Sequence, residues 1–237
     1  MQRSAVPFTA LVVATSATFT WLIAAIFLWT PTAQFQAGGA AQKIFYFHVP
    51  AAYAMYLSGV VCGGASVAYL LRPSEPRNAL AQAAAECAVT FGSLVLVSGP
   101  LWAKQAWGVY WTWEPRLTTS LLSVLVYAAV VVLRAFGGEG GAERKFAAAL
   151  GVLGTANLPL IHLAVRQWGG QHPTGVIRHG GGGLTDPAMV RSLVLGFVAM
   201  TLLALVLLWL RTGVLLVRGR LTRAEQRALM SGALEGG

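Results

Sequence analysis

The chain has 237 residues, of which 56% are hydrophobic and only 11% charged, and its mean hydropathy is +0.64. Roughly a quarter of the residues in a soluble domain are charged, so this composition excludes an ordinary soluble globular protein. The formal charge of +9 does not call for nucleic acid, because inner-face arginines and a basic tail beside anionic lipid account for it.

Crossing the hydrocarbon core takes about 20 predominantly apolar residues. Six stretches are read as spans. The first, 7–29, follows Arg3. Its apolar part exceeds the roughly 7–15 residues of a signal-peptide core and no cleavage pattern follows, so it is read as an uncleaved helix. The second, 44–71, opens within "KIFYFHVPAAY" and is long enough to tilt or project. The third, 81–102, carries Glu86 about one turn from its inner end, where snorkelling toward Arg77 is expected. Next comes the tryptophan-rich motif, 102–118, reading "WAKQAWGVYWTWEPRL" over its first sixteen positions. The fourth span, 117–133, is the shortest; the fifth, 146–165, contains Pro159 and His162. A long glycine-rich link, "GGQHPTGVIRHGGGGLTDP", leads to the sixth span, 192–210, and a basic tail, 211–237. Residues 1–237 thus form one helical membrane domain of six spans.

Eleven Lys and Arg residues flank one set of span ends: Arg3, Arg72, Arg77, Arg134, Arg144, Lys145, Arg211, Arg218, Arg220, Arg223 and Arg227. The other set has six: Lys43, Lys104, Arg116, Arg166, Arg178 and Arg191. The positive-inside bias places both termini in the cytoplasm. The 30–43, 103–116 and 166–191 links then face outward. With the adjoining helix ends they hold all four histidines, His48, His162, His172 and His179, and six of the eight tryptophans.

An aromatic belt should populate both interfaces, yet the inner side has little beyond Trp209. A belt explains Trp29 and Trp209; the cluster at Trp107, Trp111 and Trp113 reads as a binding platform. Trp107, Trp111 and Glu114 recur at i, i+4 and i+7, so a helix over 104–113 would put them on one face. Pro115 suits the first turn of the following helix, which predicts a break at Glu114–Pro115. The expected result is a flat, amphipathic aromatic shelf at the outer surface.

Planar ligands stack on indole faces, and one with a metal centre would also use imidazoles. His48 and His172 come from different elements on the same side and are placed to ligate haem iron. Arg116, with Lys104 or Arg178, is placed to pair with ligand carboxylates. Taken singly, each histidine also fits a solvated or hydrogen-bonded residue, the reading kept for His162 and His179.

"WGVYWTWEPRLTT" resembles the tryptophan-rich signature of the haem-handling proteins of cytochrome c maturation. "IFYFHVPAAY", "NLPLIH" and "DPAM" narrow the resemblance to the CcmC-type haem exporter protein C, over about residues 40 to 210 and including the six-helix plan. The resemblance implies an all-α inner-membrane protein with a tryptophan-rich periplasmic segment between helices 3 and 4. It would hold haem b at the periplasmic face and pass it to a periplasmic haem chaperone, in a complex with an ABC transporter and a small membrane subunit. The family's ligand histidines map to His48 and His172, its motif to Trp107, Trp111 and Trp113 with Glu114 and Arg116. Two departures stand out: glutamate replaces the family's usual aspartate at 114, and "QHPTG" surrounds His172 where the family tends to read "LHQGS". His162, in "NLPLIH", is the substitute candidate for the second ligand.

Cys62 and Cys87 lie in spans, with no CxxC or CxxCH, so covalent haem attachment and a zinc site are not expected. With no GxxxxGK[ST] loop, an ATP-driven step would belong to a partner, and no enzymatic role is expected. The alternatives are a membrane b-type cytochrome, which would bury its histidines deeper, and a membrane cytochrome c synthase, which would need more spans or a soluble domain.

Overall fold

A computed structural model describes residues 5–33, 39–137, 140–172, 184 and 186–235. Six α-helices follow in order: α1 (Ala5–Ala24), α2 (Phe45–Leu71), α3 (Glu75–Trp107), α4 (Pro115–Phe136), α5 (Gly141–Trp168) and α6 (Pro187–Glu235). A π-helical turn, Ala25–Trp29, extends α1, and a 3-10 turn, Gly39–Ile44, leads into α2. All six are long and apolar enough to cross a membrane. No strand occurs among the described residues. The six expected spans are present.

Several helices outrun their expected spans. α3 begins at Glu75, before the apolar run, and continues to Trp107. α6 carries on through the basic tail, 49 residues in all, so residues 211–235 are helical. Hydropathy marks only the part of a helix in contact with lipid; arginine and glutamate are good helix formers and extend it beyond.

Helices α2 to α5 form the central bundle, with α2 against α3 and α5, and α4 against α3 and α5. α6 packs on α2 and α3, and α1 lies outside against α6. Cross-links fix alternating directions. Near the start of α2 His48 meets Ser98 near the end of α3, while Arg144 at the start of α5 meets Glu75 at the start of α3. The α1–α2, α3–α4 and α5–α6 links therefore share one end, here called the histidine end.

Lipid-exposed helices gain little from burying apolar surface against one another, so small residues that permit close packing and interhelical hydrogen bonds carry the association. Thr155 Oγ1 donates to the Gly59 carbonyl at 2.7 Å, and a Cβ at Gly63 would collide with the Thr155 side chain. Asn157 Nδ2 donates to the Thr119 carbonyl at 2.9 Å and to Ser123 Oγ at 2.6 Å, joining α5 to α4. Gly63→Val should force α2 and α5 apart and cost about 1–3 kcal/mol. Thermal unfolding in detergent reads this as a lower transition temperature; an unchanged transition would mean that the α2–α5 contact is looser than described.

At the opposite, arginine-rich end, Glu75 accepts from Arg144 at 2.7 Å and from Arg223 at 3.1 Å, tying α3 to α5 and α6. Glu86 does not pair with Arg77 as expected. Its carboxylate takes both Nε and Nη2 of Arg211, with Gln82 Nε2 alongside at 3.2 Å. Arg77 instead donates to the Arg72 carbonyl. α6 brings Arg211 to Glu86 because the helix continues past its apolar run, which the span boundary at 210 concealed.

Candidate functional site

His48 lies in the first turn of α2 and is half-buried. Its Nδ1 is 2.9 Å from Ser98 Oγ on α3. The ring rests over Gly99, where a Cβ would stand 3.2 Å from His48 Cε1. Two positions on, Pro50 deprives the Tyr46 carbonyl of its helical donor, and Gly196 of α6 packs there, its Cβ position 2.7 Å from that oxygen.

The tryptophan segment is built differently from expectation. α3 ends at Trp107 because Gly108 adopts a left-handed conformation, φ +79°, and its N–H caps the Lys104 carbonyl at 3.1 Å. Lys104 Nζ donates to the Gly108 carbonyl at 2.9 Å and sits 5.3 Å from the Tyr110 ring centre. No helix spans 104–113, so Trp107, Trp111 and Glu114 do not share a helical face. Residues 111–114 run without regular structure to Glu114, which is extended at ψ 155°, and Pro115 opens α4. The break at Glu114–Pro115 is as expected.

Nor do the indoles form one flat shelf. Trp102 and Trp107 meet edge to face at 5.3 Å with planes crossed by 83°; Trp111 and Trp113 do so at 5.8 Å and 77°. Edge-to-face contact places the positive ring edge on the negative face of its neighbour. Trp113 is 76% exposed.

Glu114 is buried, and Oε2 accepts the backbone N–H of Gln171 at 2.6 Å. That contact depends on how α5 ends. Gly169 and Gly170 have φ of +75° and +143°, conformations L side chains rarely adopt, and a Cβ at Gly170 would stand 2.8 Å from Glu114 Oε2. Two glycines thus swing the chain over the carboxylate and bring the Gln171 amide, one residue before His172, onto Glu114. Arg116 lies within electrostatic range of Glu114, Tyr56 and His48. Trp111 Nε1, Thr112 Oγ1 and Glu114 Oε1 are buried with no protein hydrogen-bond partner.

A family model described as Heme exporter protein C matches residues 1–227. The chain belongs to the heme exporter protein C family. Curated members include Heme exporter protein C of Bradyrhizobium diazoefficiens, 35% identical over 167 residues, covering 70% of this chain and 63% of that one. The protein of the same name in Escherichia coli K12 is 32% identical over 188 residues, covering 77% of this chain and 74% of its own. That of Rhodobacter capsulatus is 35% identical over 107 residues, covering 45% and 43%. The chain thus spans somewhat under two thirds of the Bradyrhizobium relative's length.

In this member of the heme exporter protein C family, His48, Glu114, Arg116 and the chain leading into His172 gather at the histidine end. His162 does not join the bundle interior: its side chain is exposed on α5, beside the buried Leu158, Ile161 and Ala164. Arg178 and His179 lie outside the described residues. Ser98, Gly99 and the Gln171 amide went unnoticed in the sequence. "SGP" at 98–100, a polar, small and helix-breaking run in an apolar span, was the available signal for the first two. A backbone donor such as Gln171 has none.

Proposed function

We propose that this protein binds haem b at its histidine end and delivers it to a periplasmic haem chaperone during c-type cytochrome biogenesis. It works at the outer face of the bacterial inner membrane, as a transfer component and not as an enzyme. ABC transporter subunits and a small membrane subunit are its partners, and the nucleotide hydrolysis is theirs. The curated relatives carry the name Heme exporter protein C, and the Lys/Arg asymmetry orients the histidine end outward.

The observation that carries this reading is the site itself: an imidazole, an arginine, one exposed and two half-buried indoles and three orphaned buried polar atoms at one end of a family member. The donor set fits haem. His48 and His172 supply neutral nitrogen for iron, Arg116 supplies a guanidinium for a propionate, and the indoles supply apolar ring surface. Trp111 Nε1 and Thr112 Oγ1 can donate where a propionate or its water would otherwise lose solvation. A rim position for both histidines suits a ligand that must leave, whereas an electron-transfer haem is held at depth.

Handover is the test. The purified chain loaded with haemin is expected to transfer it to a soluble apo-acceptor such as apomyoglobin within minutes. Haem that stays bound while cycling between redox states, with no transfer, would place the protein with electron-transfer cytochromes.

A further inference from the structure

The Ser98 hydroxyl has a single proton. It lies 2.6 Å from the Leu94 carbonyl oxygen, a group that only accepts, so the proton is directed there. What Ser98 Oγ turns toward His48 Nδ1, at 2.9 Å, is a lone pair. Two lone pairs at that distance repel, so the contact holds only if Nδ1 carries a hydrogen and donates it. We propose that Ser98 is a positioning residue that fixes His48 in the Nδ1–H tautomer and presents Nε2 as its metal-binding nitrogen.

Three features support the assignment. The relay Nδ1–H to Oγ–H to carbonyl runs in one direction, so each bond polarises the next and raises the basicity of Nε2. The acceptor at its end is a backbone carbonyl of α3, which does not rotate. Gly99 completes the seat: with no side chain, it lets the imidazole lie against α3, and a Cβ there would crowd Cε1 at 3.2 Å. Helix α3 thereby sets both the tautomer and the plane of a ligand that belongs to α2, fifty positions earlier in the chain.

The inference rests on His48 being an iron ligand, and the variants separate the two claims. Full-length wild type, Ser98→Ala, Ser98→Thr and His48→Ala are purified in detergent and titrated with haemin, and the midpoint potential of the bound haem is measured for each. Ser98→Ala should bind haemin roughly 10–100-fold more weakly, the usual effect of removing an outer-shell partner of a metal-bound histidine. Its haem should also have a higher reduction potential, since a less basic imidazole stabilises ferric iron less. Ser98→Thr keeps the hydroxyl and should restore both affinity and potential. Wild-type affinity and potential in Ser98→Ala, with binding lost in His48→Ala, would overturn the role of Ser98 and leave His48 as a ligand. Normal binding in His48→Ala would overturn both.

Discussion

Replacing Trp107, Trp111 and Trp113 together by leucine is expected to weaken haem retention roughly a hundredfold while leaving the membrane yield of the protein unchanged. Contact between flat rings adds about 1 kcal/mol per pair beyond buried area, so three indoles amount to about 3 kcal/mol, or about two powers of ten in affinity. The fold should tolerate the loss, since Trp113 is 76% exposed and Trp107 and Trp111 are only half-buried. Both histidines remain, so the residual haem should keep its ligation spectrum while dissociating faster. The measurement is haem content per folded protein beside membrane yield. Full haem content with impaired insertion would make the tryptophans lipid anchors and nothing more.

Glu114→Ala should have the next largest effect, through the Gln171 amide. Removing the carboxylate leaves a partly buried N–H unpaired and loses a charge-assisted bond, about 1–3 kcal/mol at the link between the α3–α4 and α5–α6 segments. The consequence for function is indirect: the chain bearing His172, the proposed second iron ligand, loses its tie to the tryptophan segment. Glu114→Gln retains an oxygen at the same reach and should preserve most of the link. The family's usual aspartate is one methylene shorter and, on this backbone, falls short of the 2.6 Å contact, so Glu114→Asp should lie nearer to alanine than to glutamine. Haem spectra of the three variants decide it: a weakened low-spin signal in Ala and Asp but not in Gln is expected. Equal spectra in all three would remove Glu114 from the positioning of His172.

The six spans were legible because lipid contact demands long apolar runs, and nothing else in this chain supplies them. Their ends were less legible for the same reason: Glu75 to Arg77 at the start of α3 and Arg211 to Glu235 at the end of α6 are helical but polar. The helix expected over 104–113 failed on one residue. The i, i+4, i+7 spacing counted side chains and passed over Gly108, whose left-handed backbone ends α3. Pro115 is legible as a helix start because a proline at the first helical position acts through its own ring, with no distant partner needed. The site follows the same division. His48, Glu114 and Arg116 declared themselves by residue type in apolar surroundings. Ser98, Gly99 and the Gln171 amide depend on which helices meet, and that information is spread over fifty or more positions of chain.

The proposed binding groups and their supports are spread over four elements. His48 stands on α2 beside Ser98 of α3; Glu114 precedes α4, Arg116 lies in its first turn, and His172 follows α5.

The absorption spectrum of the purified chain titrated with haemin tests the central claim most directly, compared across wild type, His48→Ala, His172→Ala and His162→Ala. A low-spin, six-coordinate spectrum is expected for wild type and His162→Ala, and a high-spin spectrum or no binding for His48→Ala and His172→Ala. Loss of the low-spin signal in His162→Ala with its retention in His172→Ala would move the second ligand to α5. A low-spin wild-type spectrum that survives in His48→Ala would contradict the account.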